Sequence, residues 1–136
     1  KDEILIELEK TLRNLKRNSL DIFLIHEPDQ FIIDEELDEV FNDLKNDGYF
    51  MEYGLGFGRE NPDINFGKIS QSKYMGNILN KSDNIKIFHG VIKKSIDSGN
   101  NADMHSKFIQ DILEYDDRNM ILFSSKNLKH IKSILF

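Results

Sequence analysis

The sequence predicts an α/β fold of parallel strands alternating with helices, and three observations carry that reading. Apolar runs with little internal alternation, such as "LDIFLI" at 20–25, have the composition of strands covered on both faces. Between these runs lie stretches with apolar residues at helical spacing. The strand starts fall roughly 30–35 residues apart, the size of a strand–helix–strand unit. Such alternation implies a parallel sheet.

Residues 2–17 read as an amphipathic helix, with Ile4, Leu5, Leu8, Leu12 and Leu15 on one face. Asn18 and Ser19 break it, and the first strand follows at 20–25. Asp34 is a plausible N-cap, and Glu35 and Glu36 suit the positive end of a helix dipole. Leu37, Val40, Phe41 and Leu44 form the buried stripe of that helix, and Gly48 stops it. "YFMEYGLGFG", 49–58, is the second strand, and 62–68 is loop-like. Ile69, Met75, Ile78 and Leu79 suggest a weaker helix. "IKIFHGVI", 85–92, is the third strand. "SGNNAD" is a turn cluster ending in an N-cap at Asp103, before a helix that buries Met104, Phe108, Ile109, Ile112 and Leu113. "NMILF", 119–123, is the fourth strand. A short helix then runs through Leu128, Ile131 and Leu135.

The 136 residues suffice for one domain, 1–136, with a sizeable core. A formal net charge of −6 argues against a nucleic-acid surface or an anionic membrane as partner, because both need a basic footprint. With no cysteine, neither a disulfide framework nor a thiolate metal site can form. A reducing, cytoplasmic compartment fits that composition. No apolar run approaches the length needed to cross a bilayer. "KDEILIELEK" is too charged for a signal peptide, and a start inside a helical pattern at Lys1 suggests further residues upstream.

The most informative stretch is "SLDIFLIHEPDQ", 19–30, where an apolar strand ends in His26, Glu27, Pro28 and Asp29. In parallel α/β folds ligands sit at the carboxyl ends of strands. An imidazole there either hydrogen-bonds a substrate oxygen or exchanges a proton, or it merely caps the strand on a neighbouring backbone group. "GLGFG", 54–58, lets backbone approach a ligand closely. No clear helix begins after it, so the dinucleotide fingerprint is incomplete. A strand end that needs close approach to a ligand and a plain Gly-rich turn both remain open. "SSKN", 124–127, offers hydroxyls, a lysine and free N–H groups at a helix start, which is either an anion site or an ordinary Ser cap beside a solvated Lys. His89, His105 and His130 have no carboxylate partners at metal-ligand spacing, so a metal site is not expected.

At this point the residues converge on a family. "LEKTLRNLKRNSLDIFLIHEPDQ" resembles the aldo-keto reductases, because helix, strand, Asp21, His26 and Pro28 agree with them in order and spacing. "ELDEVFNDLKNDGYFMEYGLGF" looks like that family's next unit, and "MILFSSKNLKHIKSIL" is similar to its last strand and helix. Residues 61–118 match poorly. The resemblance implies a partial TIM-type (β/α) barrel, close to the second half of one, that reduces carbonyls with NADP(H). His26 would be the tetrad histidine that polarises the substrate carbonyl. The family's tetrad Asp, Tyr and Lys lie on earlier strands, before the start of this chain. Ser124, Ser125 and Lys126 would grip the cofactor's adenosine phosphate. Gly56 and Phe57 stand where the family has the Ser-Asn pair that holds the nicotinamide carboxamide. The distance from "GLGFG" to the last strand also looks one strand–helix unit too short.

Half a barrel leaves two strand edges unpaired. The expected partners are a carbonyl substrate and either a missing N-terminal half or another copy of the chain. The rival reading is a non-catalytic binding or assembly module that kept the scaffold.

Overall fold

The computed structural model describes residues 2–29, 32–59, 64, 66–76, 83–123 and 128–132. The elements are α1 (Asp2–Leu15), β1 (Leu20–His26), α2 (Glu35–Asn46), β2 (Phe50–Gly56), β3 (Ile69–Lys73), β4 (Ile85–His89), α3 (Val91–Asp97), α4 (Ala102–Tyr115), β5 (Asn119–Leu122) and α5 (Leu128–Lys132). The strands follow one another in the sheet in chain order, β1-β2-β3-β4-β5. By contact density the chain falls into two compact units. One is Lys1–Gly56 with Asp63–Ile69, the other Phe57–Pro62 with Ser70–Phe136.

In the first unit, α2 shows how local chemistry sets an element. Asp34 stands in extended backbone and its carboxylate accepts a hydrogen bond from the Leu37 N–H at 2.8 Å. Glu35, Glu36 and Asp38 fill the first turn, where the helix dipole favours negative charge. At the other end Gly48 takes φ 85. Its N–H reaches the Lys45 carbonyl at 2.9 Å, and the Tyr49 N–H reaches that of Leu44 at 3.1 Å, which satisfies the last carbonyls. Asp34→Ala should therefore cost about 1 kcal/mol, read as a lower denaturation midpoint with an unchanged slope. An unchanged midpoint would show that the cap contributes nothing.

β1 and β2 pair in parallel, in register from Leu20 opposite Phe50 to His26 opposite Gly56. Phe41 of α2 packs against this pair. Its ring lies 5.7 Å from Phe23, 5.9 Å from Phe50, 5.4 Å from Tyr53 and 5.3 Å from Phe66. Phe41, Leu44, Leu8 and Leu55 are each 1% exposed. The apolar residues of β1 from Ile22 to Ile25 are only half-buried, not covered on both faces, since β1 ends the strand order and has one neighbour. α1 also buries a narrower stripe than its spacing predicts: Leu8 and Leu12 are buried, but Leu15 is 55% exposed.

β3 corrects the sequence reading, which places a weak helix at 69–79. Ile78 and Leu79 lie outside the described residues, and Met75 is exposed. "ISQSK" has a single apolar residue, so pairing decides its conformation. Lys68 N–H donates to the Tyr53 carbonyl at 3.0 Å, Phe57 N–H to Gln71 at 2.8 Å, and Lys73 N–H to Arg59 at 3.0 Å. The sequence separation of these partners stays nearly constant, as in a parallel pair. The strand order is therefore not one strand short. What is missing is the helix expected after β2, and none occurs among the described residues between β2 and β3.

In the second unit, β4 and β5 pair in parallel from Lys86 opposite Asn119 to His89 opposite Leu122. Tyr74, Phe88, Val91, Ile109 and Ile112 form the core there. β4 stops at His89, and Val91 and Ile92 belong to α3, because Gly90 turns the chain at φ 71. α4 is capped by Asn101, which accepts from Met104 N–H at 3.1 Å, and not by Asp103. Met104 and Leu113 are exposed on α4, and Leu128 on α5. The α4 position beside Met104 that faces inward is His105, 8% exposed, with Nδ1 3.0 Å from Ser95 Oγ of α3. Asn100 donates to the same hydroxyl at 3.0 Å.

Candidate functional site

In the first unit the candidate chemistry lies at the carboxyl ends of β1 and β2. The strand pairing sets His26 directly opposite Gly56. His26 is exposed, and no hydrogen bond holds its ring among the described residues. Among the described residues, the bond to neighbouring backbone that would mark a simple capping role is not made. Glu27 follows in the left-handed region at φ 48, with its N–H on the Gly56 carbonyl at 2.7 Å. A non-glycine residue held there stores strain, which recurs at functional sites. Pro28 is half-buried where the chain leaves the strand.

A small polar cavity of about 220 Å³ in the same unit is lined by Asp38, Asn42, Lys45, Glu52, Tyr53, Phe66, Gly67 and Lys68. Several of its groups bind one another, while Glu52 Oε2 is buried without a partner among the described residues. Tyr53 donates to Asp38 Oδ1 at 2.8 Å, Gly67 N–H to the same oxygen at 3.3 Å, and Lys45 pairs with Glu52 at 2.7 Å. Burial, then the hydrogen bond to Asp38, pushes the Tyr53 hydroxyl above the ordinary phenol range. Tyr53 serves there as a hydrogen-bond donor to Asp38. Burial raises Tyr74 as well.

In the second unit an open groove of about 520 Å³ lies at the carboxyl ends of β4 and β5. Ile92, Ile96, Leu122 and Phe123 give it apolar walls, and His89 and Lys93 are its charged or titratable lining. His89 Nε2 donates to the Phe57 carbonyl at 3.0 Å. Phe57 itself is 5% exposed. Ser124, Ser125 and Lys126 lie outside the described residues, and they follow Phe123 of this groove directly in sequence. Of the sequence-predicted set, His26 and Gly56 are brought together. His89 is a strand-end residue that the sequence reading weighed only as a metal ligand, although "IKIFH" ends an apolar run as "LDIFLIH" does. Among the described residues no group of acidic or imidazole side chains could hold a metal, and no helix is long and apolar enough to cross a membrane.

No protein-family model matches the sequence, and no curated protein matches it. Solved structures do match the fold. A thermostable aldo-keto reductase solved with the inhibitor epalrestat superposes with a TM-score of 0.69 at 15% identity, over 98% of this chain and 60% of its own. An aldo-keto reductase from Bacillus halodurans gives 0.57 at 16% identity, over 98% and 62%. A Pseudomonas aeruginosa protein assigned to the same group gives 0.61 at 12% identity, over 93% and 54%. The fold is that of the aldo-keto reductase barrel over the part that this chain spans, about 60% of the length of the first of these structures.

Proposed function

We propose that this chain forms the second half of an aldo-keto reductase barrel, and that the complete barrel reduces an aldehyde or ketone with NADPH. The observation that supports this best is the exposed imidazole of His26 at the carboxyl end of β1, opposite Gly56 and without a hydrogen bond among the described residues, in a fold shared with aldo-keto reductases. In this reading His26 donates a hydrogen bond to the substrate carbonyl oxygen and polarises it. The barrel is completed by a first half or by another copy of the chain. A reducing, cytoplasmic setting belongs to the same proposal.

The groove at the ends of β4 and β5 fits part of the cofactor. Its apolar walls suit a ring, and Lys93 suits a phosphate. Ser124, Ser125 and Lys126 would extend that grip, as the resemblance implies. When bound, NADPH supplies the hydride. Gly56 and Phe57 bring no side-chain amide or hydroxyl, so the carboxamide grip of the family is not reproduced there. That absence favours the rival reading, a non-catalytic module on the same scaffold.

The test is calorimetric titration of the chain with NADPH, with an aldehyde turnover assay alongside. One charge-assisted phosphate contact contributes roughly 1.5–3 kcal/mol, against roughly 4–15 kcal/mol of freedom lost on association. The chain alone should bind weakly and turn nothing over. Micromolar binding with turnover would overturn the half-barrel reading. In the complete barrel, His26→Ala should lower turnover roughly 10²-fold or more, and unchanged turnover would remove His26 from the chemistry.

A further inference from the structure

We propose that His89 makes the groove at the ends of β4 and β5 selective for ligands that carry an N–H or O–H donor on an apolar body. The partner of its ring fixes the chemistry. The Phe57 oxygen is a backbone carbonyl and can only accept, so Nε2 must carry the hydrogen. In the neutral ring Nδ1 is then a bare acceptor. No partner holds Nδ1 among the described residues, and the half-buried His89 side chain lines the groove. Lys93 is the other strongly polar side chain of the lining, and an ammonium only donates. The acceptor role among the groove side chains falls to His89.

The consequence is discrimination by hydrogen-bond polarity. Ile92, Ile96, Leu122 and Phe123 accept any apolar body of suitable size. A primary amide or an alcohol satisfies Nδ1. A ketone of the same shape sets an oxygen lone pair against it. The proposal rests on the functional reading only in taking this groove as a ligand site, and it names the ligand class that site prefers.

The test uses benzamide and acetophenone, which share a ring and a carbonyl but differ in the N–H donor. The ¹⁵N-labelled chain is titrated with each at about pH 8, above the ordinary imidazole range. Long-range ¹H–¹⁵N spectra should show the Nε2–H form of His89, with Nδ1 shifting for benzamide and not for acetophenone. Benzamide should bind about fivefold more tightly, the size of one net hydrogen bond. His89→Phe should bind both alike, and His89→Gln, which can donate to Phe57 and still accept, should restore the preference. If His89→Phe does not fold, the wild-type tautomer and His89→Gln decide. An Nδ1–H tautomer, equal affinities, saturable binding of neither probe, or a preference that survives in His89→Phe would each overturn the proposal. Benzamide preference in the chain, with no NADPH binding even in the completed barrel, would sink the dinucleotide reading alone. NADPH binding without that preference would sink the role of His89 alone.

Discussion

Phe41→Ala should destabilise the protein by about 3–5 kcal/mol, the range for deleting a buried aromatic ring. Phe41 is 1% exposed and lies within 6 Å of four other aromatic rings. Two costs add. The ring's transfer from water is lost, and a cavity opens among Phe23, Phe50, Tyr53 and Phe66, which are fixed on three different segments and cannot all collapse into it. Tilted and edge-on ring pairs add about 0.5–1.5 kcal/mol each beyond their area. Phe41→Leu keeps most of the volume and should cost less than half as much. Denaturant unfolding followed by circular dichroism measures both, and a Phe41→Ala midpoint close to wild type would contradict the packing described.

Gly54→Ala should be nearly as damaging for the opposite reason. A Cβ at Gly54 would stand 1.7 Å from the Ile69 carbonyl oxygen, 2.5 Å from its carbon and 2.9 Å from its Cα. These are backbone atoms of the paired strand, so no rotamer change can relieve the clash, and β2 must part from β3. The cost should be roughly 3 kcal/mol or more, at the upper end for overpacking. The Lys68 amide, bonded to the Tyr53 carbonyl, should lose its protection from hydrogen exchange. Gly48→Ala is the contrast: nothing lies within 4 Å of that Cβ, and only φ +85 resists it. If Gly54→Ala left stability and Lys68 protection unchanged, the close approach of the two strands would be wrong.

These two positions also mark what was legible in the sequence. The stripe through Phe41 and Leu44, the Asp34 cap and the Gly48 stop are written within one helix length, and all three read correctly. The place of His26 at a strand end was legible for the same reason, as the polar end of an apolar run. β3 was not, because "ISQSK" carries no strand period of its own. Its conformation comes from the backbone of β2, and Gly54 records that only as a missing side chain far away in sequence. The cap of α4 slipped by two residues because Asn101 and Asp103 offer the same chemistry to a helix start. Met104 and Leu113 sit at plausible spacing, yet the inward position fell to His105, whose tie to Ser95 no periodicity announces. Ser124, Ser125 and Lys126 were read from sequence alone and lie outside the described residues.

The pairing of β1 with β2 across α2 bears on the route by which the chain finds its fold. Parallel sheets are ordinarily slow to form, since distant segments must meet before any contact stabilises them. Here the paired residues are about thirty apart in sequence, and the segment between them is a capped helix. Closure entropy grows only with the logarithm of loop length, and the helix shortens the flexible part further. Phe23, Phe41, Phe50 and Tyr53 all lie within this one contiguous stretch. The largest ring cluster can therefore condense before any residue beyond β2 has been placed, and Phe66 then closes over rings that have already met.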